Sequence, residues 1–175
     1  MVIIIKLNKL KNISPYGFIH FVSIISSFIL SELYFFSTKG VDFPNYFLYI
    51  ENFLYENIEV INNQGQIYYY LNVLTILLKS SELNSINSIN FFNSTIQFTN
   101  FIFYLIGTIG LFKLLSKYNY KKQSIYISLS LLHFVPKIIE MRVLLKPEIL
   151  VFSFLSWIIL GIDCYFEQNK KVPFV

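Results

Sequence analysis

Long apolar runs alternate with shorter polar segments along this chain. Residues 15–36 are almost continuously apolar and follow three lysines, Lys6, Lys9 and Lys11. A helix that crosses the hydrocarbon core of a membrane needs roughly 20 such residues. No small-residue cleavage site follows the run, which argues against a signal peptide. The pattern predicts a retained first span whose N-terminus lies in the cytoplasm, because lysine-rich flanks favour that side.

The polar segment 37–66 is expected to lie outside the membrane and to contain one amphipathic helix. Pro44 suits a first helical turn, and apolar side chains recur around and after it at helical spacing. They are Phe43, Phe47, Ile50, Leu54 and Ile58. Polar side chains fall on the other face, which predicts an interfacial helix that lies on the outer membrane surface.

The chain after residue 66 contains one short apolar run and three longer ones. Residues 67–78 are apolar but few, so they form either a re-entrant or partly buried helix or a tilted span. Residues 80–100 are rich in Ser and Asn and are expected to be a loop. The longer runs predict further spans at 101–115, which extends back towards Ile96, at 124–139 and at 149–166.

Together these patterns predict an all-α polytopic transmembrane helical bundle with four or five spans, in a single membrane domain of residues 1–175. Residues 1–36 form the cytoplasmic start and the first span, 37–66 the outer loop, and 67–175 the remaining spans. With four spans the lysines that follow residue 112 lie inside, as the charge rule favours, and segment 140–148 lies outside. With five spans these lysines lie outside and segment 140–148 lies inside.

Composition supports a membrane protein and excludes some other classes. Hydrophobic residues make up 55% of the chain and charged residues 14%, whereas a soluble domain carries about 25% charged residues. The net charge of +4 is scattered and forms no basic stripe with interleaved aromatics, so no nucleic acid is expected as a partner. The single cysteine, Cys164, allows no internal disulfide. The sequence also lacks a Ser-His-Asp pattern and the His/Cys spacing of a metal site.

Asp42 is the first of three places with candidate chemistry. It stands at the start of the predicted amphipathic helix. A carboxylate at this position is suited to act as a base or to hold a metal ion at the membrane surface. It is equally suited to cap the N-terminus of the helix.

The second place is the segment Gln64-Gly65-Gln66, which runs into Tyr68 and Tyr69. The glycine permits a tight turn, and glutamine amides hydrogen-bond hydroxyl-rich ligands. The tyrosines are able to stack on sugar rings. The alternative is an ordinary loop-to-helix junction with tyrosines of an interfacial aromatic belt.

The third place is a charged element between two apolar runs, formed by Glu140, Arg142, Lys146 and Glu148, with Lys137 just before it. Charges so close to bilayer depth are costly unless they are paired or near water. The basic side chains are suited to hold a phosphate, which an arginine binds bidentately. The alternative is a solvated loop between two helices.

In this order the elements resemble the N-terminal part of the GT-C membrane glycosyltransferases, which include protein mannosyltransferase-like and aminoarabinose transferase-like enzymes. Asp42 in GVDFPNYF resembles the acidic residue that this family carries soon after its first span. The run from Gln64 to Tyr69 takes the place of a motif like Pro-Pro-Leu-Tyr-Tyr, although the double proline is absent. Segment 142–148 resembles a basic-Pro-Asp element, with Glu in place of Asp.

The resemblance implies a membrane glycosyltransferase with a lipid-phosphate-linked sugar as donor and membrane lipid as a further partner. Asp42 would be the catalytic residue that deprotonates or positions the acceptor hydroxyl, and a divalent ion, Mg²⁺ or Mn²⁺, would assist as in some members. Family members have many more spans, so the chain is expected to be the N-terminal portion of a larger enzyme and inactive alone. The implied substrate-binding residues are Gln64, Gln66, Tyr68, Tyr69, Arg142, Lys146 and Glu148.

Two other classes of protein stay open. A small structural subunit of a membrane complex fits the short apolar chain. A transporter fragment fits His20, Glu32 and His133 in their apolar surroundings, because ionisable groups at bilayer depth mark ion or proton paths. A transporter would turn the two histidines towards each other inside the bundle.

Overall fold

The computed structural model describes residues 14–34, 48–50, 67–79 and 89–169. The regular structure within these ranges is entirely α-helical, which confirms the all-α part of the predicted fold class. Residues 48–50 are helical and lie within the predicted amphipathic helix, the rest of which lies outside the described residues. The other helices are α1 (Pro15–Tyr34), α2 (Ile67–Lys79), α3 (Ile89–Lys117), α4 (Lys122–Leu132), α5 (Pro136–Val143) and α6 (Glu148–Asn169).

Two of these helices are long and apolar enough to cross a membrane, over Phe91–Lys117 in α3 and Glu148–Glu167 in α6. α4 and α5 reach that length only as a pair, and the chain bends by 67° between them. The run predicted as one span at 124–139 is therefore broken, because Pro136 has no N–H to continue a helix. The described helices provide two spans, or three if the bent pair is one span. They do not establish the predicted four or five.

The start of α3 corrects the predicted loop at 80–100, because the helix already begins at Ile89. The hydroxyls of Thr95 and Thr99 donate to carbonyl oxygens four residues earlier, at 2.8 and 3.0 Å. These bonds satisfy the hydroxyls within the helix. Ser- and Asn-rich sequence favours a loop only where water solvates it, and here the bundle buries these side chains. The buried polar residues of this part are Asn93, Thr95, Gln97, Thr99 and Asn100.

α3 and α6 pack closely because two glycines of α3 face α6. A Cβ atom at Gly107 would lie 2.6 Å from the ring of Phe152, and one at Gly110 would lie 2.6 Å from the indole of Trp157. Both distances are well inside the roughly 3.5 Å of ordinary carbon contact. The indole N–H of Trp157 also donates to the carbonyl oxygen of Ile106 at 3.0 Å. Small residues therefore set the distance between the two membrane-length helices.

The buried core lies between α2, the first half of α3 and the start of α6. Ile50, which belongs to the predicted apolar stripe of the amphipathic helix, also reaches this core. α1 packs mainly against α4. Side chains are fully buried where α2, α3 and the linker between α5 and α6 meet. They include Ile50, Tyr68, Ile76, Ile96, Tyr104, Leu145 and Ile149.

Candidate functional site

The structure brings two of the predicted elements together through one asparagine. The hydroxyl of Tyr68 donates to Oδ1 of Asn100 at 2.8 Å, and Nδ2 of Asn100 donates to the carbonyl oxygen of Leu144 at 2.8 Å. The hydroxyl of Tyr68 also interacts with the backbone of Lys146 and with the charge of Glu148. The first tyrosine of α2 and the Lys-Pro-Glu element therefore belong to one cluster.

The two predicted tyrosines lie inside the bundle and not in an interfacial belt. Tyr69 packs against Tyr49 and Tyr68, with ring centroids 5.0 and 5.5 Å apart. The side-chain amide of Asn72 donates to the carbonyl oxygen of Tyr68 at 2.9 Å and fixes this turn of α2. Both rings are buried, whereas Tyr70 is 53% exposed. Tyr68 and Tyr69 therefore shape the wall of the cluster, and neither ring face is open to a sugar.

The linker between α5 and α6, residues 144–147, carries Lys146, and Glu148 follows it directly. Leu144 ends α5 with φ −78° and ψ 154°. The α conformation is disfavoured for the residue before Pro147, because the proline ring clashes with its backbone. The side chain of Leu145 is buried and anchors the linker. Glu148 then starts α6, where its carboxylate lies at the positive end of the helix dipole.

A cavity of about 160 Å³ opens beside this linker. Its wall includes Lys137 and Glu140 of α5 and Lys146 and Glu148 of the linker region. The ammonium group of Lys137 donates to the carboxylate of Glu140 at 2.8 Å. Two ammonium groups and two carboxylates around one small cavity suit a ligand that combines an anionic group with hydroxyls.

Arg142 lies inside the bundle and binds α1, so it does not line this cavity. Its guanidinium donates to the hydroxyl of Ser27 and, at 2.9 Å, to the carbonyl oxygen of Ser27. The guanidinium carbon lies 5.3 Å from the ring centroid of Tyr104. A buried guanidinium is costly unless it is hydrogen-bonded, and Ser27 and the aromatic face offset that cost. In the structure, Arg142 attaches α5 to α1 through Ser27. These contacts of Arg142 do not support the predicted role in binding a phosphate.

A chain of polar groups, of which the sequence singles out only the two histidines, runs next to Arg142. The hydroxyl of Tyr104 hydrogen-bonds to Nδ1 of His133. Nε2 of His133 lies 3.3 Å from Nδ1 of His20, so the two histidines face each other. Their apolar surroundings mark them in the sequence. Tyr104 and Asn100 carry no such signal, because Tyr and Asn are abundant throughout the chain.

Three predicted site residues, Asp42, Gln64 and Gln66, lie outside the described residues, as does the side chain of Glu32. Within the described ranges, no group of three or more His, Cys, Asp or Glu side chains is arranged to hold a metal ion. A divalent ion at Asp42 therefore stays a prediction.

No family model, curated protein or solved structure matches this chain. Over the ranges that the structure describes, the chain is all-α, with two membrane-length apolar helices, or three if the bent pair is one span. Any more specific function has to be inferred from the contacts of Tyr68, Asn100, Arg142 and the two histidines.

Proposed function

We propose that this chain is part of a GT-C-type membrane glycosyltransferase that uses a lipid-phosphate-linked sugar donor. The hydrogen-bonded bridge Tyr68–Asn100–Leu144 supports the proposal most strongly. Its two hydrogen bonds connect residues 32 and 44 positions apart in the chain. The bridge joins two of the three elements that resemble family motifs, the run that ends at Tyr69 and segment 142–148, and a shared site is what the resemblance implies for them. A structural subunit has no need to gather them.

Each residue of the proposed site has a role that its chemistry suits. Asp42 acts as the base that deprotonates the acceptor hydroxyl or orients it, and Gln64 and Gln66 hydrogen-bond sugar hydroxyls. Lys146 contacts the donor phosphate from the cavity wall, and Glu148 orients Lys146 and binds a sugar hydroxyl. No step is assigned to a metal ion.

The proposal takes the four-span topology, in which α1, α3, the bent pair α4–α5 and α6 cross the membrane. α2 has 13 residues, which is well short of the roughly 20 that a span needs. The lysines after α3 then lie in the cytoplasm with the N-terminus, as the charge rule favours. The linker and its cavity lie on the outer side, where segment 37–66 and Asp42 also lie.

Glycosyl transfer in membranes of cells that carry the gene with Asp42→Asn tests the proposal directly. Loss of a general base typically costs about 10²-fold or more in rate, so we expect at least that drop. Lys121→Ala, at the opposite end of the bundle, is the matched control and should leave the rate unchanged. Unchanged transfer by Asp42→Asn would remove that residue from the catalytic role.

Binding of a polyprenyl monophosphate to the purified chain in detergent tests the donor site separately. Removing one charge-assisted contact is worth about 1.5–3 kcal/mol, so Lys146→Ala should weaken binding roughly 10-fold or more. Lys121→Ala should bind like the unmodified chain. Equal affinities for all three proteins would contradict the assignment of the cavity to the lipid phosphate.

A transporter is the second candidate, because His20 and His133 face each other at 3.3 Å as that class requires. Proton flux into vesicles that contain the purified chain would measure it. A flux that His133→Gln abolishes would favour the transporter. A chain that carries no flux would leave the glycosyltransferase as the better proposal.

A further inference from the structure

Two polar contacts fasten α1 to the rest of the bundle. Near its start, Nδ1 of His20 lies 3.3 Å from Nε2 of His133, which follows α4. Two turns further along the same face, Ser27 accepts the hydrogen bonds of Arg142 from α5. In each contact, the side chain that meets α1 is buried: His133 in the first and Arg142 in the second.

Tyr104 of α3 connects these two contacts. Its hydroxyl hydrogen-bonds to Nδ1 of His133, and its ring lies under the guanidinium of Arg142 at 5.3 Å. The polar chain therefore leaves α1 at His20 and returns to α1 at Ser27. Four helices, α1, α3, α4 and α5, are tied together by it.

Hydrogen-bond chemistry limits how many protons the histidine pair can hold. A neutral imidazole has one donor and one acceptor nitrogen, whereas an imidazolium has two donors. When Tyr104 donates to His133, the Nε2–H of His133 donates to His20, and every contact is satisfied. One excess proton is also accommodated, because a charged His133 still finds an acceptor on a neutral His20. With both rings charged, the contact between them has two donors and no acceptor.

Within the part of the chain that the structure describes, no negative charge faces the pair to compensate a second proton. The groups that face it are Tyr104 from α3, Tyr126 from α4, whose ring centroid is 5.7 Å from that of His20, and the cationic Arg142 from α5. Among the described residues, the ion pairs join Lys117 to Asp163 and Glu167 and Lys137 to Glu140, and neither histidine takes part in them. Two imidazolium ions so close together repel each other, and Arg142 adds to that repulsion.

We propose that the contact between His20 and His133 is a proton-controlled latch. It is closed while the pair holds at most one excess proton and opens when both rings are charged. His20 lines a cleft of about 180 Å³ between α1, α3 and α4, together with Ile24, Leu105, Thr108, Ile109, Phe112 and Tyr126. When the latch opens, the start of α1 moves away from α4 and this cleft widens. The hydrogen bonds between Arg142 and Ser27 keep the following turns of α1 in place. The latch does not depend on the proposed glycosyl transfer.

Distance measurement between α1 and α4 in the full chain tests the latch. Spin labels are attached to Phe21→Cys and Ile127→Cys, two exposed positions, in a Cys164→Ser background. The protein is placed in phosphatidylcholine nanodiscs and measured at about pH 8 and at about pH 3.5. The lower value lies well below the ordinary imidazole pKa of about 6.5, because repulsion between the two rings and from Arg142 makes the second protonation harder. We expect the distance between the labels to lengthen at the lower pH and to return on neutralisation.

Three variants separate the latch from a general effect of acid. His20→Gln keeps an acceptor for His133 but takes no charge, so its distance should stay at the closed value at both pH values. His133→Gln should behave in the same way and serves if the first variant folds poorly. Tyr126→Phe keeps both histidines and should show the full change. The proposal would be overturned if the protein with both histidines kept the same label distance at the two pH values. It would also be overturned if both glutamine variants showed the same change as that protein.

Discussion

The hydroxyl of Tyr68 on α2 donates a hydrogen bond to Asn100 on α3 across 2.8 Å, and both side chains are fully buried. Asn100 passes the connection on to Leu144, at the start of the linker that carries Lys146. One buried amide thus holds the tyrosine end of α2 against the linker beside the cavity. The geometry of the proposed donor site depends on this bridge.

Tyr68→Phe should destabilise the protein by about 1–3 kcal/mol, because it leaves Oδ1 of Asn100 buried without this donor. The free energy of unfolding in detergent measures the effect. Tyr120→Phe is the matched control, since Tyr120 is 60% exposed, and it should stay within about 0.5 kcal/mol of the unmodified protein. Equal stability of the two variants would show that the bridge contributes nothing.

Gly107→Ala should lower stability by about 1–3 kcal/mol through overpacking. The added methyl group would meet not only the ring of Phe152 but also its backbone oxygen, at 2.8 Å, so side-chain rotation cannot relieve the clash. Gly161→Ala provides the control within the other helix, because nothing lies within 4 Å of its Cβ position. That variant should be neutral or stabilising by up to about 1 kcal/mol, from helix propensity alone. Thermal unfolding of both variants in one detergent decides the comparison.

Arg142→Lys should destabilise the packing of α1 by about 1–3 kcal/mol. A lysine ammonium cannot reproduce the two separate nitrogen atoms that reach the hydroxyl and the carbonyl oxygen of Ser27. Looser packing exposes α1 more often, so a protease should cut within α1 faster in this variant when the protein is in detergent. Lys137→Ala removes only an exposed ion pair with Glu140, which water and salt screen, so it should leave the stability nearly unchanged. A result in which the two substitutions have the same effect would argue against the structural role of Arg142.

Tyr118, which directly follows α3, should titrate above the ordinary tyrosine range. Its hydroxyl donates to the carboxylate of Asp163 at 2.6 Å. This hydrogen bond, helped by desolvation and by the carboxylate charge, raises the pKa of Tyr118. The contact is therefore fully present below the ordinary tyrosine pKa of about 10 and is lost as pH rises through the raised value.

Phenolate absorbance of the unmodified chain minus that of Tyr118→Phe isolates this titration. In an Asp163→Asn background the same difference should return towards the ordinary range. A difference curve that Asp163→Asn does not move would show that the carboxylate does not set the pKa of Tyr118.

The helices differ in how far the local sequence predicts them. The apolar run at 149–166 predicts α6, which covers Glu148–Asn169, because every turn of this segment is rich in apolar side chains. The start of α3, from Ile89 to about Ile96, is not predicted, since its asparagines and threonines are satisfied only inside the bundle. Pro136 is visible in the sequence, but the 67° bend that it leaves between α4 and α5 is a property of the packed chain.

The sequence by itself determines the class of this protein: an all-α chain with apolar helices of membrane length and few charges. That follows from local physics, because helix formation and transfer into hydrocarbon depend on runs of neighbouring residues. The tertiary structure alone decides which polar groups meet. It places His20 against His133 and Arg142 against Ser27, pairs that are 113 and 115 positions apart. A buried polar group must find a partner wherever the packing of helices brings one within reach, and no periodicity within a single helix encodes that partner.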